Sequence, residues 1–95
     1  MFLALLADVR EPILRVAERH GASNVRVFGS LARGEASADS DLDLLVTLEA
    51  GRSLLDLVAL KQDIEDLVER PVDVVTDRGL SPYLKDKILA EAVAL

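Results

Sequence analysis

Two stretches of this chain carry residues whose types and spacing could do chemistry: Gly29-Ser30, and Asp41-Leu42-Asp43 at the head of the run Leu44-Leu45-Val46-Thr47-Leu48. The run is rich in branched aliphatics, opens after a polar loop and is short, which predicts a buried strand over 41–48. Side chains alternate across a strand, so Asp41 and Asp43 point to one face while Leu42 and Leu44 point to the other. Two carboxylates held side by side repel each other unless a cation sits between them. An oxygen-only donor pair favours Mg²⁺ or Mn²⁺ over zinc. Upstream, Asn24-Val25-Arg26-Val27-Phe28 reads as a strand that breaks at Gly29 and enters a short helical turn, Ser30-Leu31-Ala32-Arg33-Gly34. A turn of this kind presents free backbone N–H groups and a hydroxyl, which are the donors a phosphate uses. It lacks the Gly-Lys-Ser/Thr of a Walker loop and the glycine spacing of a dinucleotide fold.

The elements that must position these residues alternate along the chain. A helix is predicted from about Asp8 to His20, with Asp8 and Glu11 spaced as a capping box, Pro12 near the first turn, Ile13, Leu14, Val16 and Ala17 facing the core, and Gly21 ending it. The two strands follow. Gly51-Arg52-Ser53 breaks the pattern, and a long helix is predicted from about Ser53 to Glu69. Its apolar stripe comprises Leu54, Leu57, Val58, Leu60, Ile64, Leu67 and Val68. Pro71-Val72-Asp73-Val74-Val75-Thr76 is a third strand. Ser81 as N-cap and Pro82 at the first helical position open a closing helix that packs through Tyr83, Leu84, Ile88, Leu89 and Val93. The order helix, strand, strand, helix, strand, helix, without repeat or linker, predicts one small α/β layer structure.

Residues 29–44 as a block resemble the signature of the DNA polymerase β-like nucleotidyltransferases, through four elements: Gly29-Ser30, Arg33-Gly34, Ser40-Asp41 and the pair Asp41 and Asp43. The shortness of the chain makes it similar to the minimal nucleotidyltransferases, the single-domain branch often found as the antitoxin beside a HEPN-type toxin. The resemblance covers residues 1–95 as one domain. It implies an α/β (α+β) fold with a small mixed sheet flanked by helices, as in the polymerase β-like palm. It also implies a third carboxylate on a neighbouring strand. Asp73 is the candidate, because an acid in a β-branched run is costly unless paired or metal-bound. Asp77 is the fallback, with a turn residue paired to its neighbour as the plainer reading. The chemistry implied is transfer of AMP from ATP to a hydroxyl of a partner protein. Asp41 and Asp43 would hold Mg²⁺ on the triphosphate, and Asp73 would complete a second metal site and accept the acceptor proton. Gly29 and Ser30 would hold the β- and γ-phosphates, and Arg33 would add a charge-assisted contact.

Composition bounds what else is open. At 95 residues, 51% of them hydrophobic, the chain can bury a modest core but leaves no room for a separate acceptor-binding module. This argues against transfer to a small molecule such as an aminoglycoside. The formal net charge of −6 and pI near 4.6 repel phosphodiester backbones, and few aromatics are present to stack on bases, so a nucleic-acid partner is not expected. Cysteine is absent, which excludes disulfides and thiolate metal sites and is compatible with a cytoplasmic setting. No apolar stretch approaches the length of a membrane span. Met1-Phe2-Leu3-Ala4-Leu5-Leu6-Ala7 lacks a preceding basic residue and reads as a packing segment or partner contact rather than a leader. A homodimer or a heteromeric complex is compatible with that segment.

Each assignment has a plainer rival. Gly29-Ser30 could be only a strand-ending turn, and Asp41 and Asp43 a strand cap and a surface acid. Arg33 divides evenly between a phosphate contact and a salt bridge to Glu35 or another acid. His20 is expected to meet the helix dipole, and the acids Asp63, Glu65, Asp66 and Glu69 read as a solvated helix face. At the level of function, the rival to the enzyme is a non-catalytic antitoxin that neutralises a HEPN toxin by direct complex formation. The joint presence of Ser30, Asp41, Asp43 and Asp73 favours the enzyme.

Overall fold

The computed structural model describes residues 2–35 and 41–95, with side chains from Ala7 onward. Ser40 of the signature, and the side chains of the apolar N-terminal run up to Leu6, lie outside the described residues. The elements are α1 (Phe2–Arg19), β1 (Ala22–Phe28), β2 (Leu42–Leu48), α2 (Leu54–Val68), β3 (Val72–Thr76), a 3₁₀ turn (Asp77–Gly79), α3 (Pro82–Glu91) and β4 (Val93–Ala94). The four strands form one sheet in the order β3-β2-β1-β4. β1 pairs antiparallel with β2 and β4, and β2 pairs parallel with β3, so the sheet is mixed.

β-Branched and leucine positions at period two build the core. Val25 and Val27 of β1, Leu42, Leu44 and Val46 of β2, and Val72 and Val74 of β3 are buried on one face. Ile13, Val16 and Ala17 of α1 and Leu60 and Ile64 of α2 close over them. β1 keeps this face because it contains a bulge between Ser23 and Arg26, where Asn24 takes φ 51°. Asparagine tolerates that left-handed conformation, and the extra residue switches the alternation, so that Ala22, Val25 and Val27 all point inward. Arg26 and Phe28, with Asp43, Leu45 and Thr47 opposite, are thereby turned to the second face.

Several boundaries differ from those predicted. α1 begins at Phe2, so Asp8 and Glu11 lie inside the helix and form no cap, and Pro12 is in the helix interior rather than its first turn. The apolar residues ahead of Asp8 extend the helix, and an N-terminus called from an acid alone misses that. Gly21, at φ 74°, ends α1 as expected; a Cβ there would lie 2.3 Å from Arg52 Nε. α2 carries the capping box instead: Asp56 accepts from the Ser53 backbone N–H at 2.8 Å. Its core stripe is narrower than predicted. Leu60 and Ile64 are buried, whereas Leu54, Val58 and Leu67 are exposed at 74%, 43% and 37%. α3 starts as predicted, with Ser81 accepting from the Tyr83 N–H at 3.3 Å and Pro82 next. Its expected core contacts do not form: Tyr83 is 95% exposed, α3 has no buried residue, and Val93 belongs to β4. The cause is that β4 hydrogen-bonds to β1 through Val93 and Ala94, which ends the helix at Glu91.

Candidate functional site

The acids are positioned by strand register. The Leu42 N–H donates to the Pro71 carbonyl at 3.0 Å, which aligns the starts of β2 and β3. Leu42 then stands beside Val72, Asp43 beside Asp73 and Leu44 beside Val74. In a parallel pair these neighbours share a face and lie about 4.8 Å apart along the sheet. Asp43 and Asp73 are therefore adjacent on the face opposite the helices. Asp41 stands one residue ahead of β2 and is exposed. Asp43 is partly buried, and its carboxyl is pushed above the usual carboxylate range, first by desolvation and then by the charges of Asp73 and Asp41, with Arg33 opposing.

On the other side of Asp43, its antiparallel neighbour is Phe28, the last residue of β1. Gly29 follows at φ 77°, and a Cβ built on it would lie 2.2 Å from Asp43 Oδ2. Both the backbone angle and the carboxylate demand glycine here. The chain then makes one turn: the Arg33 N–H donates to the Gly29 carbonyl at 3.2 Å and the Glu35 N–H to the Ser30 carbonyl at 2.9 Å. Leu31, 2% exposed, plugs this turn into the core and fixes where Ser30 and Arg33 lie.

The turn is not the free donor array the sequence led us to expect. The Gly29 N–H donates to Glu91 Oε1 at 3.0 Å, and Arg33 Nη1 reaches Glu91 Oε1 at 3.2 Å and Oε2 at 3.1 Å. Arg33 Nε pairs with Glu35 at 3.0 Å. Glu91 is thus a site neighbour that sequence reasoning missed; it stands at the end of α3, far along the chain, and no spacing rule links it to Gly29. Burial raises the Glu91 carboxyl, but the Gly29 N–H and the Arg33 guanidinium outweigh it and hold the group below its usual range.

Asp77 is not paired to its sequence neighbour. It accepts from Thr47 Oγ1 at 2.8 Å and lies 3.8 Å from Arg26 Nη2, a buried nitrogen without a hydrogen-bond partner among the described residues. His20 does not simply cap α1: its Nε2 lies 2.7 Å from Asp63 Oδ2 on α2. Glu65 does more than face solvent, since it accepts from the Val72 N–H at 3.0 Å and so ties α2 to β3.

Among the described residues, no group of three His, Cys, Asp or Glu side chains is disposed to hold a metal ion as it stands. Magnesium is ordinarily bound by one or two carboxylates together with substrate phosphates rather than by an all-protein cage. Two hard carboxylates in register, with a third just ahead of β2, fit that mode, and a divalent cation would offset both the desolvation and the repulsion from Asp73 and Asp41 that raise Asp43.

The strands form a small mixed sheet in the order β3-β2-β1-β4, and residues 9–95 match the nucleotidyltransferase domain family. The chain belongs to that family. It is 43% identical over 86 residues to MJ0435 of Methanocaldococcus jannaschii, provisionally named a protein adenylyltransferase, covering 90% of this chain and 92% of that protein. It is 41% identical over 76 residues to the protein adenylyltransferase MntA of Thermococcus cleftensis, covering 80% and 77%. Among solved structures, a provisionally described minimal nucleotidyltransferase matches with a TM-score of 0.88 and 54% identity, covering 98% of this chain and 95% of that one. A toxin-antitoxin complex crystallised with AMP-PNP shares the fold, with a TM-score of 0.77 at 20% identity, over 88% of this chain and 69% of the other. No helix among the described residues is long and apolar enough to cross a membrane.

Proposed function

We propose that residues 1–95 form one nucleotidyltransferase domain that transfers AMP from ATP to a hydroxyl of a partner protein, a HEPN-type toxin, in the cytoplasm. The observation that carries this reading is the packing of Gly29 against the Asp43 carboxylate, with Asp73 in register on the adjacent strand. A glycine turn lying directly against one acid, with a second acid beside it, is what supports reading the three as one site for a phosphate and a divalent cation.

In this reading Gly29 and Ser30 bind the β- and γ-phosphates and Arg33 adds a charge-assisted contact. Asp41, Asp43 and Asp73 would hold two Mg²⁺ ions, which supply charge neutralisation at the attacking and leaving oxygens. Asp73, exposed at the sheet edge, takes the proton of the incoming hydroxyl. That oxygen bonds to the α-phosphorus, the bond from the α-phosphorus to its bridging oxygen breaks, and pyrophosphate leaves. The toxin-antitoxin complex sharing this fold supports a protein acceptor, and its AMP-PNP supports an adenine nucleotide donor. The exposed Leu54, Leu55 and Val58 of α2 offer apolar surface for a partner to bury.

The test is intact-mass spectrometry of a candidate HEPN partner after incubation with this protein, ATP and Mg²⁺, beside an Asp41→Asn/Asp43→Asn variant. A gain of one or more AMP units that the variant does not produce is expected. A stable complex with no mass gain would replace the enzyme with a binding antitoxin.

A further inference from the structure

A carboxylate held by a backbone N–H and an arginine has the hydrogen-bond partners of a phosphate oxygen. Glu91 has both: the Gly29 N–H at 3.0 Å and Arg33 Nη1 at 3.1–3.2 Å from its two oxygens. Its side chain is only 18% exposed, so it is seated in the turn rather than resting on it. A triphosphate on the same donors would add negative charge beside Glu91 and Asp43, and both anions cannot keep one N–H.

We infer that Glu91 is a built-in occupant of the triphosphate subsite, which the end of α3 must withdraw before nucleotide binds. This rests on the reading of Gly29 and Arg33 as the phosphate cradle. The fold lets α3 act this way. α3 has no buried residue; the chain after its Ala92 cap is held by the two residues of β4 on β1, by the Leu95 N–H to the Val25 carbonyl at 3.0 Å, by Arg10 Nε donating to the Leu95 carbonyl, and by Leu95 against the core, so α3 itself is the weakly held part. An element with so few buried contacts opens at low cost, whereas β1 and β2 beneath it belong to the core. The apparent affinity for nucleotide is then the intrinsic affinity reduced by the fraction of chains in which Glu91 is withdrawn.

The experiment is calorimetric titration of the full chain with AMP-PNP in Mg²⁺, comparing wild type with Glu91→Gln and Glu91→Asp. Gln removes the charge that anchors the plug, and Asp falls short of the turn by one methylene. Glu91→Gln is expected to bind on the order of 10-fold tighter, with Glu91→Asp between it and wild type. Amide exchange of α3 is expected to speed up when AMP-PNP is added to wild type. Equal or weaker binding by both variants, with wild type still binding, would overturn this inference alone and leave the proposed function standing. Absence of binding by all three would overturn the functional reading and this inference with it.

Discussion

Asp56 and Glu65 on α2 and Asp43 on β2 are acids in one small domain, yet their surroundings act on them in opposite directions. The Ser53 backbone N–H, with Arg52 behind it, holds Asp56 below its usual range, and the Val72 N–H with Lys61 does the same for Glu65. Asp43 is pushed up by burial and by its neighbours Asp73 and Asp41. Acids that serve the scaffold come with a donor and a cation. Asp43 stands among other acids, an arrangement that weakens the bare fold and makes chemical sense once a cation and a phosphate arrive.

The sharpest way to break this contrast is to exchange neighbours on β2. Asp43→Asn is expected to lower AMP transfer by on the order of 10²–10³-fold, read as the rate of mass gain on the acceptor, with the circular dichroism spectrum unchanged. Its effect on stability has the other sign. A carboxyl raised in the folded state contributes stability below its ordinary value of 3.8, and that contribution is lost as pH rises through the folded value. At neutral pH the wild-type apo protein bears this cost, so Asp43→Asn is expected to melt higher than wild type, an advantage that disappears below pH 3.8. Leu44→Ala, one residue on and 0% exposed, is expected to cost about 2–5 kcal/mol at every pH. If Asp43→Asn destabilised the fold as Leu44→Ala does, the distinction between the two faces would fail.

Gly29→Ala probes where the two regions meet. The new methyl meets Asp43 Oδ2 and the φ of 77° is unfavourable, for an expected loss of about 1–3 kcal/mol in urea unfolding. In an Asp43→Ala background the clash with the carboxylate is gone and only the 3.3 Å approach to Cβ and the backbone part remain, so the double-mutant cycle should show positive coupling. Additive losses would mean that Gly29 is kept for its backbone alone.

How much of this could be read from the residues follows the same division. Alternation in Leu42-Asp43-Leu44 assigned both faces of β2, because burial enforces a strict period on a strand with a covered side. Asp73 stands out by its isolation in an apolar run and does lie in register with Asp43, and the start of α3 at Ser81-Pro82 follows from local cap chemistry. Local rules failed where a distant contact decides the outcome. Glu91 belongs to the candidate site only because β4 folds back on β1, a two-residue pairing with no periodic signal. The leucines of α3 have the spacing of a core helix, yet Leu84 and Leu89 are left 52% and 39% exposed. Asp8 and Glu11 have the spacing of a capping box but lie inside α1, and the box that forms is that of Ser53 and Asp56 on α2.

The smallest expected effect sharpens the scaffold side. Glu65 accepts from the Val72 N–H and from Lys61, so it bridges α2 to the start of the strand that carries Asp73. A carboxyl lowered in the folded state contributes stability above its ordinary value of 4.5, and that contribution fades as pH falls through the folded value. In Glu65→Gln the amide oxygen can still accept from Val72, but the charge is gone. Thermal melts of wild type and Glu65→Gln from about pH 3 to pH 7 should therefore show a wild-type advantage at neutral pH that closes on acidification. Across the same range, wild type is at a disadvantage to Asp43→Asn at neutral pH, and that gap closes on acidification too. Two acids in one domain, read by one titration, should thus give differences of opposite sign that both vanish in acid. A Glu65→Gln curve parallel to wild type throughout would show that the Val72 bond, not the charge, is what Glu65 contributes.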